Sequence, residues 1–407
     1  MNVLIISEYF PSPIRPSSGA FVSEQARELA KIANIMVISP ISVPLPRKKF
    51  MHERSLKAQI PFEYKMNSII TYYPRYLDFP RFSEYFNAYS MTISVIYLIL
   101  KKKLKIDIIH AHFAYFSGFV GCLIGKFLHK PVVITTHGFD VNLYLKALPE
   151  YQKIYGVNNP HALNTCGRRA SWALHKCIHI IAVSDELRNR LIGLGITQEK
   201  ITTIRNGVDP DLFRPMNQAD DRKYLGLPIE AKIILFVGNL QPRKDPTSLI
   251  LALNILRSTY KNILFLIKGH GKLLESLKRL VNENQLSCAV RFMGVIPYEN
   301  VPILMNACDV FVLPSLYESF GCVLLEALAC GKPIVTTKVG AIPEIFLDEQ
   351  HGRLIESGDP EGLAHAIISV IDRSWEPQKL VNFAHQHQWR EVAQKIYKCY
   401  QEIINKK

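Results

Sequence analysis

Two glutamates, Glu318 and Glu326, stand eight residues apart across a Ser-Phe-Gly turn at 319–321. Apolar residues at helical spacing follow the turn and predict a helix over 320–330. The exposed N-terminus of a helix offers unpaired N–H groups and the positive end of its dipole, which suit a phosphate. Carboxylates repel a phosphate, but they accept hydrogen bonds from hydroxyl groups beside it. The spacing therefore predicts a site for a phosphate flanked by hydroxyl groups, as in a nucleotide sugar.

Apolar runs typical of buried strands alternate with helical patterns along the whole chain, which predicts parallel sheets with crossover helices. The same alternation of strand and helix patterns begins again after a polar, proline-containing connector at 206–222. We therefore predict the α/β class, with two doubly wound Rossmann-like domains that face each other across a cleft. The predicted domains are an acceptor-side domain at 1–212, a nucleotide-sugar domain at 213–380, and a helix at 381–407 that packs back on the first.

The composition is that of a globular protein, with 48% hydrophobic and 21% charged residues in 407. This length is too great for one ordinary core and fits two domains. The 8 cysteines form no C-x-x-C pair, which favours reduced thiols and a cytoplasmic protein. The first ten residues lack a basic start and contain Glu8, so they predict a buried strand in place of a signal peptide.

The positive charge is concentrated in the first half, since residues 1–212 carry +11 of the net +14. This asymmetry predicts an anionic partner or surface for the first domain. Residues 91–100 form an apolar run that is followed by Lys101, Lys102, Lys103 and Lys105. Ten residues cannot span a bilayer, which needs about 20. Two interpretations stay open: a buried helix whose C-terminal dipole attracts cations, and a contact with an anionic membrane surface.

Seven motifs occur in the order typical of one enzyme family. Through these motifs the chain resembles retaining nucleotide-sugar glycosyltransferases of family four (glycosyl transferases group 1, GT-B architecture). They are Gly19-Ala20-Phe21 with Glu24, the segments 107–112, 136–140, 182–185 and 206–209, Val237-Gly238-Asn239 with 243–245, and 318–344. The N-terminal segments 9–13 and 19–25 are similar to those of microbial surface-polysaccharide and teichuronic acid glycosyltransferases.

The resemblance implies transfer of a sugar from a nucleotide diphosphate sugar to a hydroxyl of a glycan or lipid-linked acceptor, with retention of anomeric configuration. It implies a role in cell-envelope polysaccharide biosynthesis, with the donor as substrate and with no cofactor, metal or nucleic acid. With the basic first domain, it also suggests peripheral association with an anionic membrane surface at the inner face of the cell membrane.

The resemblance also implies roles for individual residues. Lys244 and Arg243 supply cations to the leaving diphosphate, Glu318 holds hydroxyls of the transferred sugar, and Glu326 holds the ribose. His137 lies near the reacting carbon. The expected catalytic residues are His137, Arg243, Lys244 and Glu318, and the expected donor-binding residues are Gly19, Ala20, Asn239, Gly269, Ser319, Phe320, Gly321, Cys322, Val323 and Glu326.

One departure concerns the first turn of the second domain, where many family members have Gly-Arg and this chain has Gly238-Asn239. We interpret Arg243, in the same loop, as the replacement for the missing guanidinium. His110 and His112 alternate on a strand without a third ligand at suitable spacing, so we expect them to be structural or to line the cleft.

Three other functions are each consistent with part of the sequence. A nucleotide-sugar epimerase of the same architecture is the main alternative, although it lacks the order of the Glu318 and Glu326 motifs. A dinucleotide-dependent oxidoreductase needs a Gly-x-Gly-x-x-Gly turn, and neither Gly19 nor Gly238 lies in one. A nucleic-acid-binding module is supported by net charge alone.

Overall fold

The structure, a computed structural model, describes residues 1–44, 55, 57–66, 69–79, 83–146, 150–156, 160–347 and 349–406. The chain folds into two compact units. Unit 1 comprises Met1–Tyr151, Asn158–Arg205 and Trp389–Lys407, and unit 2 comprises Gln152–Val157 and Asn206–Gln388. Apart from the segment 152–157, the chain changes unit after Arg205 and after Gln388, whereas the domain boundaries predicted from the sequence lie after 212 and 380.

Unit 1 is built on an eight-stranded sheet in the order β10-β9-β8-β7-β1-β2-β5-β4, with a separate pair formed by β3 and β6. Neighbouring strands are parallel except β4 and β5. The strands are β1 Asn2–Ile6, β2 Asn34–Ile38, β3 Ile41–Pro44, β4 Glu63–Met66, β5 Ile69–Tyr72, β6 Arg75–Asp78, β7 Ile108–His112, β8 Val132–Thr136, β9 His179–Ala182 and β10 Ile201–Thr203.

Helices connect these parallel strands, as crossover connections require. They are α1 Ala20–Leu29, α2 Ser83–Lys102, α3 Phe119–Leu128, α5 Pro160–Lys176 and α6 Asp185–Gly193, with π-helical turns at Ala114–Gly118 and Asp140–Tyr144 and a 3-10 turn at Gln198–Lys200. The short helix α4, Tyr151–Tyr155, lies where the chain passes between the units.

Unit 2 is built on a six-stranded sheet in the order β13-β12-β11-β14-β15-β16, and all neighbours are parallel. Its strands are β11 Lys232–Val237, β12 Ile263–Lys268, β13 Val290–Gly294, β14 Val310–Leu313, β15 Ile334–Thr337 and β16 Gly352–Ile355. Its helices are α7 Gln218–Tyr224, α8 Pro246–Thr259, α9 Leu274–Glu283, α10 Val301–Ala307, α11 Cys322–Ala329, α12 Ile342–Ile345, α13 Pro360–Ile371 and α14 Pro377–Ala384, with 3-10 turns at Pro242–Lys244 and Tyr298–Asn300. The α/β class with two parallel-sheet, Rossmann-like units is confirmed.

The last helix, α15 (Trp389–Asn405), returns to unit 1 and packs on α1. Its apolar face is buried in the same core cluster as Val3 and Ile5 of the central strand β1, and the helix contributes Trp389, Val392, Ala393, Ile396, Tyr400 and Ile403. Inside this core, Tyr400 Oη lies 2.5 Å from Nδ1 of His110 on β7. Residues at the two ends of the chain therefore share one core.

This packing predicts which elements lose stability when one buried side chain of α15 is truncated. Ile396 is almost fully buried, so Ile396→Ala should destabilise unit 1 by about 2–5 kcal/mol through lost burial and a residual cavity. Hydrogen exchange should show the loss of protection in α1 and β1 and not in β12. The exposed neighbour Lys395, changed to alanine, is the control. Equal deprotection of β12 would contradict the assignment of α15 to the core of unit 1.

Candidate functional site

The loops that follow β11, β12, β14 and β15 leave the same edge of the unit 2 sheet, because these strands are parallel neighbours. Ligands of open α/β sheets bind at this carboxyl edge. The loop after β11 carries Asn239, Arg243 and Lys244, and the loop after β12 carries Gly269. The loop after β14 carries Glu318 and leads into α11. The sheet therefore brings the donor-binding residues predicted for this unit to one edge.

Glu318 is buried and is the centre of an ion-pair cluster with two half-buried cations. Lys244 Nζ donates to its Oε1, Arg243 Nη1 lies 3.3 Å from its Oε2, and Ser315 Oγ donates to Oε1 at 2.6 Å. Burial alone would raise the pKa of this carboxyl group, but Lys244 and Arg243 hold it well below its usual range. Burial lowers the pKa of Lys244, and Glu318 opposes that shift. Two cations thus share one ionised carboxylate, which leaves one positive charge for a ligand.

Backbone contacts fix the position of this cluster. Leu316 N donates to Arg243 O at 2.8 Å, and Arg243 Nη1 donates to Tyr317 O at 2.9 Å, so the two loops are joined twice. On the other side, Ala341 N donates to Glu318 O at 3.0 Å. A Cβ at Gly340, whose φ is 53°, would lie 2.0 Å from that same oxygen. Glycine is therefore required where the loop after β15 approaches Glu318.

Helix α11 begins two residues later than predicted because Gly321, with φ 80°, is in the left-handed region and caps the helix. The N–H groups of Cys322 and Val323 form the first turn and have no acceptor within a helix. Burial raises the pKa of the Cys322 thiol, and the charge of the nearby Lys244 opposes part of that rise. The positive end of the helix dipole and a lysine therefore meet at one place, which suits a phosphate.

Glu326, on the second turn of α11, is buried and accepts a hydrogen bond from Tyr298 Oη at 2.9 Å. Burial raises its pKa to about 7, although Tyr298 and the nearby Lys268 both favour the ionised form. Sequence reasoning did not find Tyr298, which lies in a 3-10 turn before α10 and matches no motif that we used.

Gly269 lies where the loops after β11 and β12 touch. Its φ is 154°, and a Cβ there would lie 1.8 Å from the carbonyl oxygen of Gly238. Leu240 N donates to His270 O at 3.0 Å, which joins the same loops. Asn239, between them, is exposed. The predicted turn residues thus shape the edge of the sheet beside the ion-pair cluster.

The predicted residues of the first domain gather at the corresponding edge of the unit 1 sheet. His137 directly follows β8, and its Nε2 lies 3.0 Å from Nδ1 of His112 at the end of β7. Its ring lies 4.7 Å from that of Phe21, next to Gly19 and Ala20 at the start of α1. Gly19 has φ 62°, and a Cβ there would lie 2.1 Å from the carbonyl oxygen of Tyr9.

The buried carboxyl group of Asp140 and the buried His112 hold His137 in place, and His110 packs behind His112. Asp140 accepts from His137 N at 3.1 Å and from Ala114 N at 2.7 Å, while burial raises its pKa to about 6. His110 lies 2.7 Å from Thr135 Oγ1, and burial lowers the pKa values of both His110 and His137 to about 3. Within the described ranges no three His, Cys, Asp or Glu side chains are grouped as a metal site.

Glu8 is a further candidate that sequence reasoning missed as a functional residue. It follows β1, is half-buried, and accepts a hydrogen bond from Phe116 N at 3.2 Å. Burial raises its pKa to about 7. Burial raises the pKa values of four surrounding phenols, and the charge of Glu8 adds to the rise in each; they are those of Tyr9, Tyr76, Tyr115 and Tyr144. The feature of the sequence that could have indicated Glu8 is an acidic residue directly after an apolar strand.

Comparison with known proteins agrees with these features. The model of the family Glycosyltransferase Family 4 matches residues 21–212, and that of Glycosyl transferases group 1 matches residues 217–393. The protein TuaC of Bacillus subtilis (strain 168), whose name assigns it to teichuronic acid biosynthesis as a glycosyltransferase, is 27% identical over 407 residues that cover 98% of this chain and 94% of TuaC.

Two solved structures share the fold. The sucrose-phosphate synthase of Thermosynechococcus elongatus superposes with a TM-score of 0.78 at 20% identity and covers 100% of both chains. HepE of Anabaena, solved in complex with UDP-glucose, has a TM-score of 0.71 at 20% identity and covers 99% of this chain and 100% of its own. From the two matched family models, the chain belongs to the group 1 (family 4) glycosyltransferases and is a glycosyltransferase enzyme.

Proposed function

We propose that this enzyme transfers a sugar from a nucleotide diphosphate sugar to a hydroxyl group of a glycan or lipid-linked acceptor, with retention of anomeric configuration. The observation that carries the proposal is the cluster of the buried Glu318 with the half-buried Lys244 and Arg243, beside the N-terminus of α11. A diphosphate gains negative charge as its bond to the sugar breaks. Fixed cations and aimed N–H groups stabilise that charge without reorganisation.

Each residue of unit 2 then has a defined task. Lys244 and the N–H groups of Cys322 and Val323 bind the leaving phosphate. Glu318 keeps Lys244 and Arg243 in position, and its carboxylate oxygens also accept hydrogen bonds from sugar hydroxyls. Glu326 accepts a hydrogen bond from a ribose hydroxyl. Because the protein itself supplies the positive charge, the proposal needs no metal or other cofactor.

In unit 1 we assign His137 to orienting the donor sugar. With a pKa near 3 the imidazole is neutral at physiological pH, so it acts as a hydrogen-bonding group and not as a cation. No carboxylate is assigned as a nucleophile, and retention is attributed to front-face attack assisted by the leaving phosphate. Glu8 is proposed to accept a hydrogen bond from the acceptor hydroxyl, among tyrosine rings that suit a sugar face.

The relatives support the choice of substrates. HepE binds UDP-glucose, which favours a uridine diphosphate sugar as the donor, and TuaC is named for the synthesis of an envelope polysaccharide. We therefore propose a role in cell-envelope polysaccharide biosynthesis, at the inner face of the cell membrane. The alternative of a nucleotide-sugar epimerase is not favoured, because both matched family models are those of glycosyltransferases.

Donor binding predicts thermal stabilisation by nucleoside diphosphates. UDP at about a hundred times its Kd should stabilise the protein by about 2.7 kcal/mol, measured as a rise in Tm. Glu326→Ala should weaken this effect, because the ribose loses its acceptor, whereas the exposed control Glu402→Ala should retain it. If no nucleoside diphosphate or nucleotide sugar raises the Tm, the proposed donor class is wrong.

Lys244→Ala should lower kcat more than it weakens donor affinity, because the lysine meets charge that develops only in the transition state. Loss of one such group costs about a hundredfold or more in kcat. Single-turnover transfer from a radiolabelled donor measures this directly. Lys261→Ala, which changes an exposed lysine of unit 2 just before β12, is the control, and chelation of divalent metals should leave the wild-type rate unchanged. An Ala variant with normal kcat would remove Lys244 from the mechanism.

The raised pKa of Glu8 predicts a pH dependence on the acceptor side. Glu8 is ionised above about pH 7 and protonated below it, and an ionised acceptor gives the stronger hydrogen bond. The acceptor KM should therefore rise as the pH falls through about 7. UDP affinity is measured separately at each pH, because Glu326 on the donor side also has a pKa raised to about 7. Glu8→Gln should raise the acceptor KM by about tenfold and remove this pH dependence. An unchanged pH profile in the variant would exclude Glu8 from acceptor binding.

A further inference from the structure

Helix α2 presents two apolar faces, of which the protein covers one. The buried face consists of Ala88, Met91, Val95, Leu98 and Ile99. The other carries five large side chains that solvent reaches: Phe86 at 55% exposed, Tyr89 at 48%, Ile93 at 69%, Tyr97 at 62% and Leu100 at 56%. The run at 91–100 is therefore neither wholly buried nor wholly exposed.

The five exposed residues, which we call the α2 stripe, fall on one line along the helix. At 3.6 residues per turn they lie within an arc of about 80° and extend over about 21 Å. The exposed Leu77 of β6 lies next to them, since its N–H donates to Ser90 Oγ at 2.9 Å. A surface helix of a globular protein normally presents polar residues on its outer face. A contiguous exposed apolar surface marks an interaction site.

Lysines surround the C-terminal end of the stripe. Lys101, Lys102, Lys103 and Lys105 are all exposed, and Lys101 Nζ lies 5.5 Å from the ring centre of Tyr97. The one carboxylate that pairs with them among the described residues is Glu63, which lies 2.9 Å from Lys102. The surface that meets the stripe must therefore be apolar in its interior and negative at its boundary.

A bilayer that contains anionic phospholipids has this chemistry. Its acyl region accepts aliphatic side chains, tyrosine rings prefer the level of the headgroups, and lipid phosphates attract lysines. The stripe does not belong to a membrane span, because no helix among the described residues is long and apolar enough to cross a bilayer. The helix would instead lie in the plane of the interface.

We propose that the α2 stripe and the adjoining lysines dock unit 1 on the surface of an anionic phospholipid bilayer. The inference deepens the proposed function, because it supplies the surface through which the enzyme reaches a lipid-linked acceptor. Binding to the bilayer itself needs neither donor nor acceptor, so it can be measured separately from transfer.

The test is flotation of the full chain with two sets of vesicles, phosphatidylcholine alone and phosphatidylcholine with phosphatidylglycerol in equal parts. The wild-type protein should float with the anionic vesicles and much less with the neutral ones. Ile93→Ser/Tyr97→Ser should weaken this binding by at least about tenfold, because two inserted side chains are lost. Lys101→Glu/Lys103→Glu should weaken it by a similar factor and abolish its dependence on salt.

Matched controls come from unit 2, where Tyr224 and Ile229 are also exposed. Tyr224→Ser/Ile229→Ser and Lys223→Glu/Lys261→Glu carry the same chemical changes away from the stripe and should bind vesicles as the wild type does. Thermal stabilisation by UDP in every variant reports folding and the donor site independently of membrane binding. A wild-type protein that UDP does not stabilise would contradict the proposed function and would leave the docking proposal unaffected.

Two results would overturn the docking proposal. The first is a wild-type protein that stays out of the anionic vesicles at low salt. The second is a stripe variant that floats as the wild type does. If the stripe variants instead convert a dimer to a monomer in light scattering, without a change in flotation, then the stripe covers a second copy of the chain and not a bilayer.

Discussion

A buried carboxylate beside two half-buried cations is the constraint on which the rest of unit 2 depends. Glu318 is ionised at a position that solvent barely reaches, and burying a charge costs free energy unless it is paired and hydrogen-bonded. Lys244, Arg243 and Ser315 provide that compensation. Removal of Glu318 would leave two neighbouring positive charges without a counterion, so the loops after β11 and β14 are held together by electrostatics as well as by their backbone hydrogen bonds.

The same cluster explains why the surrounding turns have the residues they have. The carbonyl of Glu318 accepts from Ala341 and leaves no room for a side chain at Gly340, so the loop after β15 is fitted to the glutamate. Gly321 then turns the chain so that α11 starts beside Lys244. A site prepared in this way provides charge that is already oriented before a diphosphate arrives. Such preorganisation is the main source of electrostatic catalysis.

Much of the fold could be predicted because buried parallel strands are continuous β-branched runs, as at β8 and β15. The sequence did not reveal β4, whose residues Glu63–Met66 are mostly exposed on the edge of the sheet, or β16, where a glycine starts an edge strand. In the site, spacing and resemblance found the glutamates and cations. They did not find Tyr298 and Glu8, whose importance comes from contacts between residues far apart in the sequence.

The central claim is that the N-terminus of α11 and Lys244 bind the diphosphate of a nucleotide sugar. A crystal structure of the full chain with UDP tests it most directly. The account predicts phosphate oxygens within hydrogen-bonding distance of Lys244 Nζ and of the N–H groups of Cys322 and Val323. A diphosphate bound elsewhere in unit 2, for instance in the cavity of about 530 Å³ lined by Arg373, Trp375 and Lys379, would contradict it.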